Sequence, residues 1–145
     1  MPTPTAPTLL WFRQDLRLRD NPALTAAVAS GHVLPVFVLD DTSAAEWQRG
    51  AASRCWLHRS LIALNESLDG RLWVLEGNAA KLIPAFAQAQ GACAVHWNRH
   101  YEPWRIARDK RVKQALTELG IDAQSHAGTL LWEPWENLKK DGTPY

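Results

Sequence analysis

The sequence predicts an α/β fold, a Rossmann-like five-stranded parallel sheet with helices on both faces. Five short runs rich in β-branched and aromatic residues alternate with four longer segments of helical character. This alternation predicts a parallel sheet, because right-handed crossover helices return the chain to the same edge before each new strand. Sheets of this kind bind ligands beyond the carboxyl ends of their strands, so we expect functional residues in the loops that follow the strands.

Each predicted strand is a short run that turn residues bound on both sides. The five strands are predicted at Thr8–Phe12, Val33–Leu39, Arg71–Leu75, Ala92–Trp97 and Ile121–Ser125.

The helical segments carry start and stop signals. The first is predicted to begin at Pro22, with Asn21 as its N-cap and Gly31 as its stop. The second carries four leucines on one stripe. The third contains Pro84, which lies in its first turn or kinks it. The other three helices are predicted over about Ala52–Leu68, from Asn78 to near Gly91, and from Pro103 to Gly120.

Length and composition indicate one domain of an ordinary globular protein. The 145 residues are 46% hydrophobic and carry a net charge of +1, so no overall positive field marks a nucleic-acid binder. Residues 1–7 are predicted to be a disordered tail and 8–126 the α/β domain. Residues 127–145 are predicted to start an interdomain connection at which the chain is truncated. We expect a monomer.

The chain carries no signal of export or of membrane insertion. No apolar run approaches the length of a transmembrane helix, and the first residues lack the basic and apolar character of a signal peptide. Cys55 and Cys93 stand far apart with no metal-binding spacing, and they are predicted to be reduced core residues. The sequence therefore indicates a cytoplasmic protein that does not bind a membrane.

Two arginines, Arg54 and Arg108, are predicted to point inward near the ligand-binding edge, and Arg105 lies towards the side of the same helix stripe as Arg108. Arg105 and Arg108 fall on or beside the apolar stripe of the fourth helix, and Arg54 extends the leucine stripe of the second. A buried guanidinium needs a carboxylate or phosphate partner. Either these arginines form structural ion pairs, with Asp15 and Arg108 as the first pair expected, or Arg54 or Arg105 contacts an anionic or polar cofactor. The candidate carboxylates are Asp15, Asp40 and Asp41.

Several common catalytic motifs are absent. No glycine-rich dinucleotide or P-loop fingerprint occurs, and no nucleophile elbow. His96 and His100 lie four residues apart across the end of a strand and lack a third ligand, so no metal site is predicted. No catalytic residue is identified in this chain.

The segment "VHWNRHYEPWRIARD" is dense in groups that bind ligands. It crosses from the end of the fourth strand to the start of a helix, where free N–H groups favour anions. Trp97 offers a stacking face, Asn98 and Glu102 offer hydrogen bonds, and Arg105 offers charge. Trp97 also fits a core position, and Glu102 fits a helix-capping carboxylate. The segment suggests a planar ligand with polar edges.

Four motifs resemble the photolyase/cryptochrome family over Leu9–Tyr145: "WFRQDLRLRDNPAL", "GAASRCWLHRSLIAL", "WNRHYEPWRIARDKRVKQAL" and "LLWEPWENLKKDGTPY". The chain is most similar to bacterial photolyases that act on cyclobutane pyrimidine dimers. The resemblance implies a light-driven electron transfer from reduced FAD that splits the dimer. It also implies that FAD and damaged DNA are held by a C-terminal helical domain outside this sequence. The α/β domain would hold an antenna chromophore and would not repair DNA alone.

The resemblance extends to single residues only in part. Glu102 matches a contact of relatives that use a deazaflavin antenna, whereas His100 stands where those relatives have an aspartate. Relatives with a folate antenna have an Asn-Glu pair where this chain has Trp104 and Arg105. The chromophore therefore stays open between folate, deazaflavin and flavin. The candidate cofactor-binding residues are Arg13, Asp40, Arg54, Trp97, Asn98, His100, Glu102 and Arg105.

Three alternatives remain open at this point. The first is a cryptochrome-type blue-light receptor of the same architecture. The second is a free-standing nucleotide-binding domain, which usually carries the glycine-rich loop that is missing here. The third is a purely structural domain that holds no chromophore.

Overall fold

The computed structural model describes residues 6–143 and confirms the predicted α/β fold. Its strands are β1 (Thr8–Phe12), β2 (Val33–Leu39), β3 (Trp73–Glu76), β4 (Ala94–Asn98) and β5 (Asp122–His126). Its α-helices are α1 (Pro22–Ala29), α2 (Ala51–Ser67), α3 (Ala79–Ala89) and α4 (Pro103–Glu118), with a short 3-10 helix at Ala45–Trp47.

The five strands form one parallel sheet in the order β3-β2-β1-β4-β5. The chain builds the sheet outward from β1 in one direction, and it then crosses to the other side of β1 for β4 and β5. Thr8 accordingly pairs with Val33 on one side and with Ala94 on the other. The order of the strands reverses between β1 and β4, so a crevice forms beyond the carboxyl ends of these two strands.

Three strands begin one or two residues later than predicted, and the same cause applies to each. The amide of Arg71 donates to Leu68 O, that of Ala92 to Ala87 O, and that of Ile121 to Leu116 O. These amides close the turn after the preceding helix, so they are not available to the sheet. The hydrophobic pattern of the sequence does not reveal this competition between the helix end and the strand start.

Helices cover both faces of the sheet over two apolar cores. Successive residues of β1 alternate between them: Trp11 packs in the core that includes α3 and α4, and Phe12 in the core that includes α1 and α2. The predicted leucine stripe of α2 packs on the second core, although only Leu64 is fully buried. All five residues of β1 and of β4 are buried, as expected for central strands of a parallel sheet.

The start of α1 agrees with the sequence prediction. Asn21 caps the helix by accepting a hydrogen bond from the amide of Leu24 at 3.1 Å, and Pro22 occupies the first helical position. Pro84 lies beyond the first turn, inside α3. A proline there has no N–H to donate, so α3 lacks one internal hydrogen bond.

Both cysteines are free, but they are exposed and not in the core as predicted. Cys55 lies on the solvent face of α2, which buries a single side chain, and Cys93 lies in the turn before β4. Most of the tail predicted at residues 1–7 lies outside the described residues. Within them, Pro7 O accepts a hydrogen bond from the amide of Cys93 at 3.0 Å. Over residues 6–143, no helix is both long and apolar enough to cross a membrane.

The segment after β5 is anchored to the loop that follows β4. Glu133 is buried and accepts hydrogen bonds from Arg99 Nε at 3.0 Å and from the hydroxyl of Tyr101 at 2.8 Å. The Arg99 guanidinium also lies 5.7 Å from the ring centre of Trp135. One buried carboxylate thus fixes residues of the predicted interdomain connection against the α/β sheet.

Candidate functional site

Asn98, at the end of β4, organises the loop between β1 and α1. Its Oδ1 accepts from the amide of Ala23 at 3.1 Å, and its Nδ2 donates to Asn21 Oδ1 at 2.8 Å and to the Asp15 carboxylate. Gly128 lies directly over this side chain, because a Cβ at Gly128 would come within 2.5 Å of Asn98 Cγ. Asn98 is only 1% exposed. This buried polar side chain therefore links β4 to the loop after β1, at the point where the strand order reverses.

The expected ion pair between Asp15 and Arg108 does not form. Asp15 accepts from the amide of Arg13 at 2.9 Å within its own loop, and Asn98 takes its other oxygen. Both carboxylate oxygens therefore already have partners, one in the loop backbone and the other in Asn98 at the end of β4. The prediction was wrong because a short-range bond to the loop backbone competes with a distant arginine.

Asp109 is the carboxylate that the buried arginines use. Arg13 Nη1 donates to Asp109 Oδ2 at 2.5 Å, while Arg108 donates to Oδ1 through Nε at 3.0 Å and through Nη2 at 2.9 Å. Arg13 Nη2 also donates to Asn98 O. Burial lowers the pKa of the Arg13 guanidinium to about 10, against the opposing attraction of Asp109. One acidic residue thus serves two buried cations.

Arginine and tryptophan side chains alternate through the site. We call this set the Arg–Trp stack: Arg13, Trp11, Arg108, Trp104 and Arg105. The guanidinium groups of Arg13 and Arg108 each lie 4.9 Å from the ring centre of Trp11. Those of Arg108 and Arg105 lie 5.4 and 4.8 Å from the ring centre of Trp104. Cation–π attraction within about 6 Å stabilises each of these contacts.

Arg105 contacts a neutral histidine instead of a buried carboxylate. Its Nη1 lies 2.6 Å from His100 Nδ1. Burial, together with the charges of Arg13, Arg105 and Arg108, lowers the pKa of His100 to about 2. The imidazole is therefore neutral at physiological pH, and Nδ1 accepts the bond while Nε2 carries the proton. His100 Nε2 is buried and has no hydrogen-bond partner among the described residues.

Glu102 is the N-cap residue of α4, but its side chain does not cap the helix. Its carboxylate is half exposed and lies 3.3 Å from Arg105 Nε, without the alignment of a hydrogen bond. Burial lowers the pKa of the Arg105 guanidinium, while Glu102 opposes this shift. The capping interpretation of Glu102 is therefore not supported, and its carboxylate remains available at the surface.

Two adjoining spaces open at the carboxyl edge of β1 and β2. The inner cavity measures about 180 Å³ and is lined by residues that include Arg13, Asp40, Arg49 and Arg108. The outer cleft measures about 570 Å³ and is lined by Trp47, Glu102, Pro103, Trp104 and Arg105. Trp47, Trp104 and Arg105 line both spaces.

The structure brings together some of the predicted binding residues. Arg13, Asp40 and Arg105 line the inner cavity, and Glu102 lines the outer cleft. Burial raises the pKa of Asp40, but hydrogen bonds from Ser43, Ala79 and Thr42 outweigh this effect, and the pKa lies below its ordinary value. Asp40 is thus an anion whose oxygens already have partners within the chain.

Other predicted residues lie apart from the cavity lining. Trp97 is 1% exposed and packs on Trp11 with ring centres 5.9 Å apart, in the core beneath the site. Arg54 does not point inward as expected, because the first turn of α2 extends past the apolar core. Its guanidinium is exposed and pairs with Asp41 at 2.6 Å. This is one of the structural ion pairs that the sequence suggested.

Sequence reasoning missed Trp47 and Arg49 as site residues. Both follow β2 in a stretch with no regular hydrophobic period, so no pattern placed them beside α4. Their position in a loop after a parallel strand was the available signal.

His96, which was considered with His100, pairs with another histidine instead. Its Nδ1 lies 3.0 Å from His126 Nε2, with the two rings stacked. Among residues 6–143, no three histidine, cysteine or acidic side chains come together as metal ligands would.

Known proteins are similar in sequence to this chain over nearly its whole length. A family model described as DNA photolyase matches residues 8–145. A deoxyribodipyrimidine photo-lyase of Agrobacterium fabrum is 43% identical over 145 residues, covering 97% of this chain and 30% of the relative. Cryptochrome-2 of Arabidopsis thaliana is 39% identical over 142 residues, covering 95% of this chain and 23% of the relative.

Solved structures share the fold. A bacterial class III photolyase from Agrobacterium tumefaciens aligns with a TM-score of 0.88 and 40% identity, over 100% of this chain and 30% of that one. An archaeal photolyase from Sulfolobus tokodaii, described with two FAD molecules and a novel light-harvesting cofactor, aligns with a TM-score of 0.77 and 28% identity. That alignment covers 88% of this chain and 30% of the archaeal one. The present chain thus spans less than a third of each relative, and it belongs to the DNA photolyase family.

Proposed function

We propose that this domain is the light-harvesting part of a DNA photolyase and that its outer cleft holds an antenna chromophore. The observation that carries the proposal is the pair of tryptophans, Trp47 and Trp104, that line one cleft at the carboxyl edge of the sheet. Two indole faces suit a planar aromatic ligand. When bound, the chromophore supplies excitation energy from absorbed near-ultraviolet or blue light.

The residues of the cleft fit such a ligand in size and in chemistry. Its volume of about 570 Å³ lies within the range of about 300–1,000 Å³ that is usual for small-molecule sites. Glu102 offers an accepting carboxylate at the rim, and Arg105 offers N–H donors, one of which is buried without a hydrogen-bond partner. The archaeal relative with its second FAD supports a light-harvesting role for the shared α/β fold. Folate, deazaflavin and flavin are all compatible with this donor set.

The proposal extends to the activity of the whole protein. In it, reduced FAD and damaged DNA are held by residues outside this sequence, and light-driven electron transfer splits cyclobutane pyrimidine dimers. The 43% identity to a deoxyribodipyrimidine photo-lyase supports this reaction. A cytoplasmic location is part of the proposal and is favoured by the two free thiols, Cys55 and Cys93.

A cryptochrome-type light receptor is the second candidate, because Cryptochrome-2 is 39% identical over the same stretch. The family match sets aside a free-standing nucleotide-binding domain. A purely structural domain remains the alternative to chromophore binding.

Removing either wall of the outer cleft should weaken chromophore binding. We expect Trp47→Ala and Trp104→Ala each to raise the Kd roughly two- to twelvefold, since an aromatic pair contributes about 0.5–1.5 kcal/mol beyond burial. The measurement is a fluorescence titration of the 145-residue chain with FMN, a 5-deazaflavin and methenyltetrahydrofolate. Trp132→Ala is the control, because Trp132 is as exposed as Trp47, at 70%, and lies in the segment after β5. Equal Kd values in all four proteins, or no binding at all, would contradict the proposal.

Repair should require the whole protein. We expect the 145-residue chain with added FAD to leave thymine dimers intact under blue light, because this domain supplies no catalytic residue. The whole protein should split them under the same lamp, as measured by loss of dimers from an oligonucleotide. Repair by the isolated domain would overturn the assignment of roles, whereas a whole protein that binds FAD without repairing dimers would favour the cryptochrome.

A further inference from the structure

The inner cavity is lined by four arginines, and the cluster that they form has more hydrogen-bond donors than nearby acceptors. Arg13, Arg49, Arg105 and Arg108 all line it. The Nε atoms of Arg13 and Arg105 are buried and have no hydrogen-bond partner among the described residues. Both side chains belong to residues that are at least nine-tenths buried. Buried donors without acceptors cost about 1–3 kcal/mol each, so the arginine cluster around the cavity is short of acceptors.

The acidic residues near the cavity are already engaged. Asp109 binds Arg13 and Arg108, and Asp41 binds Arg54. Asp40 accepts hydrogen bonds from Thr42, Ser43 and Ala79. The carboxylates that border this space therefore leave Arg105 without an aligned anionic partner. The half-exposed Glu102 lies 3.3 Å from Arg105 Nε but is not aligned for a hydrogen bond.

The histidine beside Arg105 adds no negative charge. His100 is neutral because its pKa is lowered to about 2, and it accepts from Arg105 through Nδ1. Its protonated Nε2 is a further buried donor without a hydrogen-bond partner in the described chain. His100 therefore supplies Arg105 with one neutral acceptor and with no negative charge.

The size of the inner cavity selects a small group. Its volume of about 180 Å³ is below the range of about 300–1,000 Å³ for drug-sized ligands. A tetrahedral or planar oxyanion fits this volume, whereas the ring system of a flavin needs the outer cleft.

We propose that the inner cavity is an oxyanion subsite that takes a phosphate or carboxylate group through Arg105 and Arg49. Guanidinium groups bind both kinds of oxyanion through paired N–H donors. Because Trp104 and Arg105 line both spaces, a ligand stacked in the outer cleft can extend its acidic group into the cavity. This placement rests on the proposed function, but the binding of a free oxyanion does not.

The test is calorimetric titration of the 145-residue chain with four probes: inorganic phosphate, acetate, riboflavin and FMN. We expect an oxyanion to bind with one site per chain and FMN to bind at least tenfold more tightly than riboflavin. Arg105→Gln should abolish this difference, and Arg105→Lys should retain part of it. Arg71→Gln is the matched control, since Arg71 is exposed and pairs only with the neighbouring Asp69. Urea unfolding of each variant confirms that it is folded.

The outcomes separate the two proposals. Tighter binding of phosphate identifies a phosphate group, and tighter binding of acetate identifies a carboxylate. Oxyanion binding that depends on Arg105, without flavin binding, supports the subsite and counts against a flavin antenna. Riboflavin and FMN binding with equal Kd values, and no binding of phosphate or acetate, would overturn the subsite while leaving the antenna proposal intact. An effect of Arg71→Gln equal to that of Arg105→Gln would also overturn it.

Discussion

Replacing Asp109 by asparagine is expected to lower the free energy of unfolding by about 3–5 kcal/mol. Asp109 is the shared carboxylate of Arg13 and Arg108, with contacts of 2.5–3.0 Å. Asparagine preserves the shape of the side chain but removes the charge, which leaves two buried guanidinium groups facing each other. An uncompensated buried charge is far more costly than a missing surface pair. The measurement is equilibrium unfolding in urea at pH 7.

Asp69→Asn is the matched control for this change. Asp69 pairs with Arg71 at 3.1 Å, but both side chains are largely exposed. Asp69 also has a φ of 52°, a conformation that asparagine tolerates well. We expect a change below about 1 kcal/mol for this variant. Equal losses for Asp69→Asn and Asp109→Asn would show that Asp109 does not hold the buried arginines together.

Lowering the pH from 6.5 to 4.5 is expected to remove about 2.3 kcal/mol of stability through His100 alone. The folded-state pKa of about 2 lies below the ordinary value of 6.5, because burial and three arginines disfavour the imidazolium. Between these two values the unfolded chain binds a proton that the native chain does not. Stability is therefore fully present well above pH 6.5 and begins to fall near that pH, and the loss approaches about 1.4 kcal/mol per pH unit below about pH 5.5.

The contribution of His100 to the pH dependence of stability can be separated from the contributions of other groups with a single variant. His100→Gln should reduce the slope of unfolding free energy against pH by about 1.2 kcal/mol per unit, averaged between pH 6.5 and 4.5. Burial also lowers the pKa values of His96 and His126, so some acid sensitivity should remain. His58→Gln, at an exposed position on α2, controls for the loss of a histidine. A profile of His100→Gln parallel to that of the wild type would show that His100 does not cause the acid sensitivity.

The fold could be predicted from the sequence because its signals are local. Four of the five strands are mostly apolar runs, and Asn21-Pro22 marks a helix start through the chemistry of two adjacent residues. The starts of three strands could not be predicted in this way. The amides of Arg71, Ala92 and Ile121 donate to carbonyl groups at the end of the preceding helix and are not available to the sheet. The parallel order then placed the site at the carboxyl edge without further information.

The partners of the buried charges could not be predicted in the same way. Whether Asp15 binds Arg108 depends on which donors lie closer in space, and the Arg13 amide and Asn98 are closer. Asp109 follows Arg108 directly in a helix, where neighbours in sequence usually point apart. Trp47 joins the site only because its loop folds back beside α4. These outcomes depend on tertiary geometry and not on sequence spacing.

The small number of buried side chains on α2 has a consequence for access to the inner cavity. This helix of 17 residues buries only Leu64, while its amino-terminal Ser53 borders the cavity. The free energy needed to open an element locally falls with the apolar area it buries, so α2 should separate from the sheet before β1 or β4 does. The wall next to α2 is therefore the one that can yield to an entering molecule, while the wall built on α4, which buries four side chains, keeps its shape.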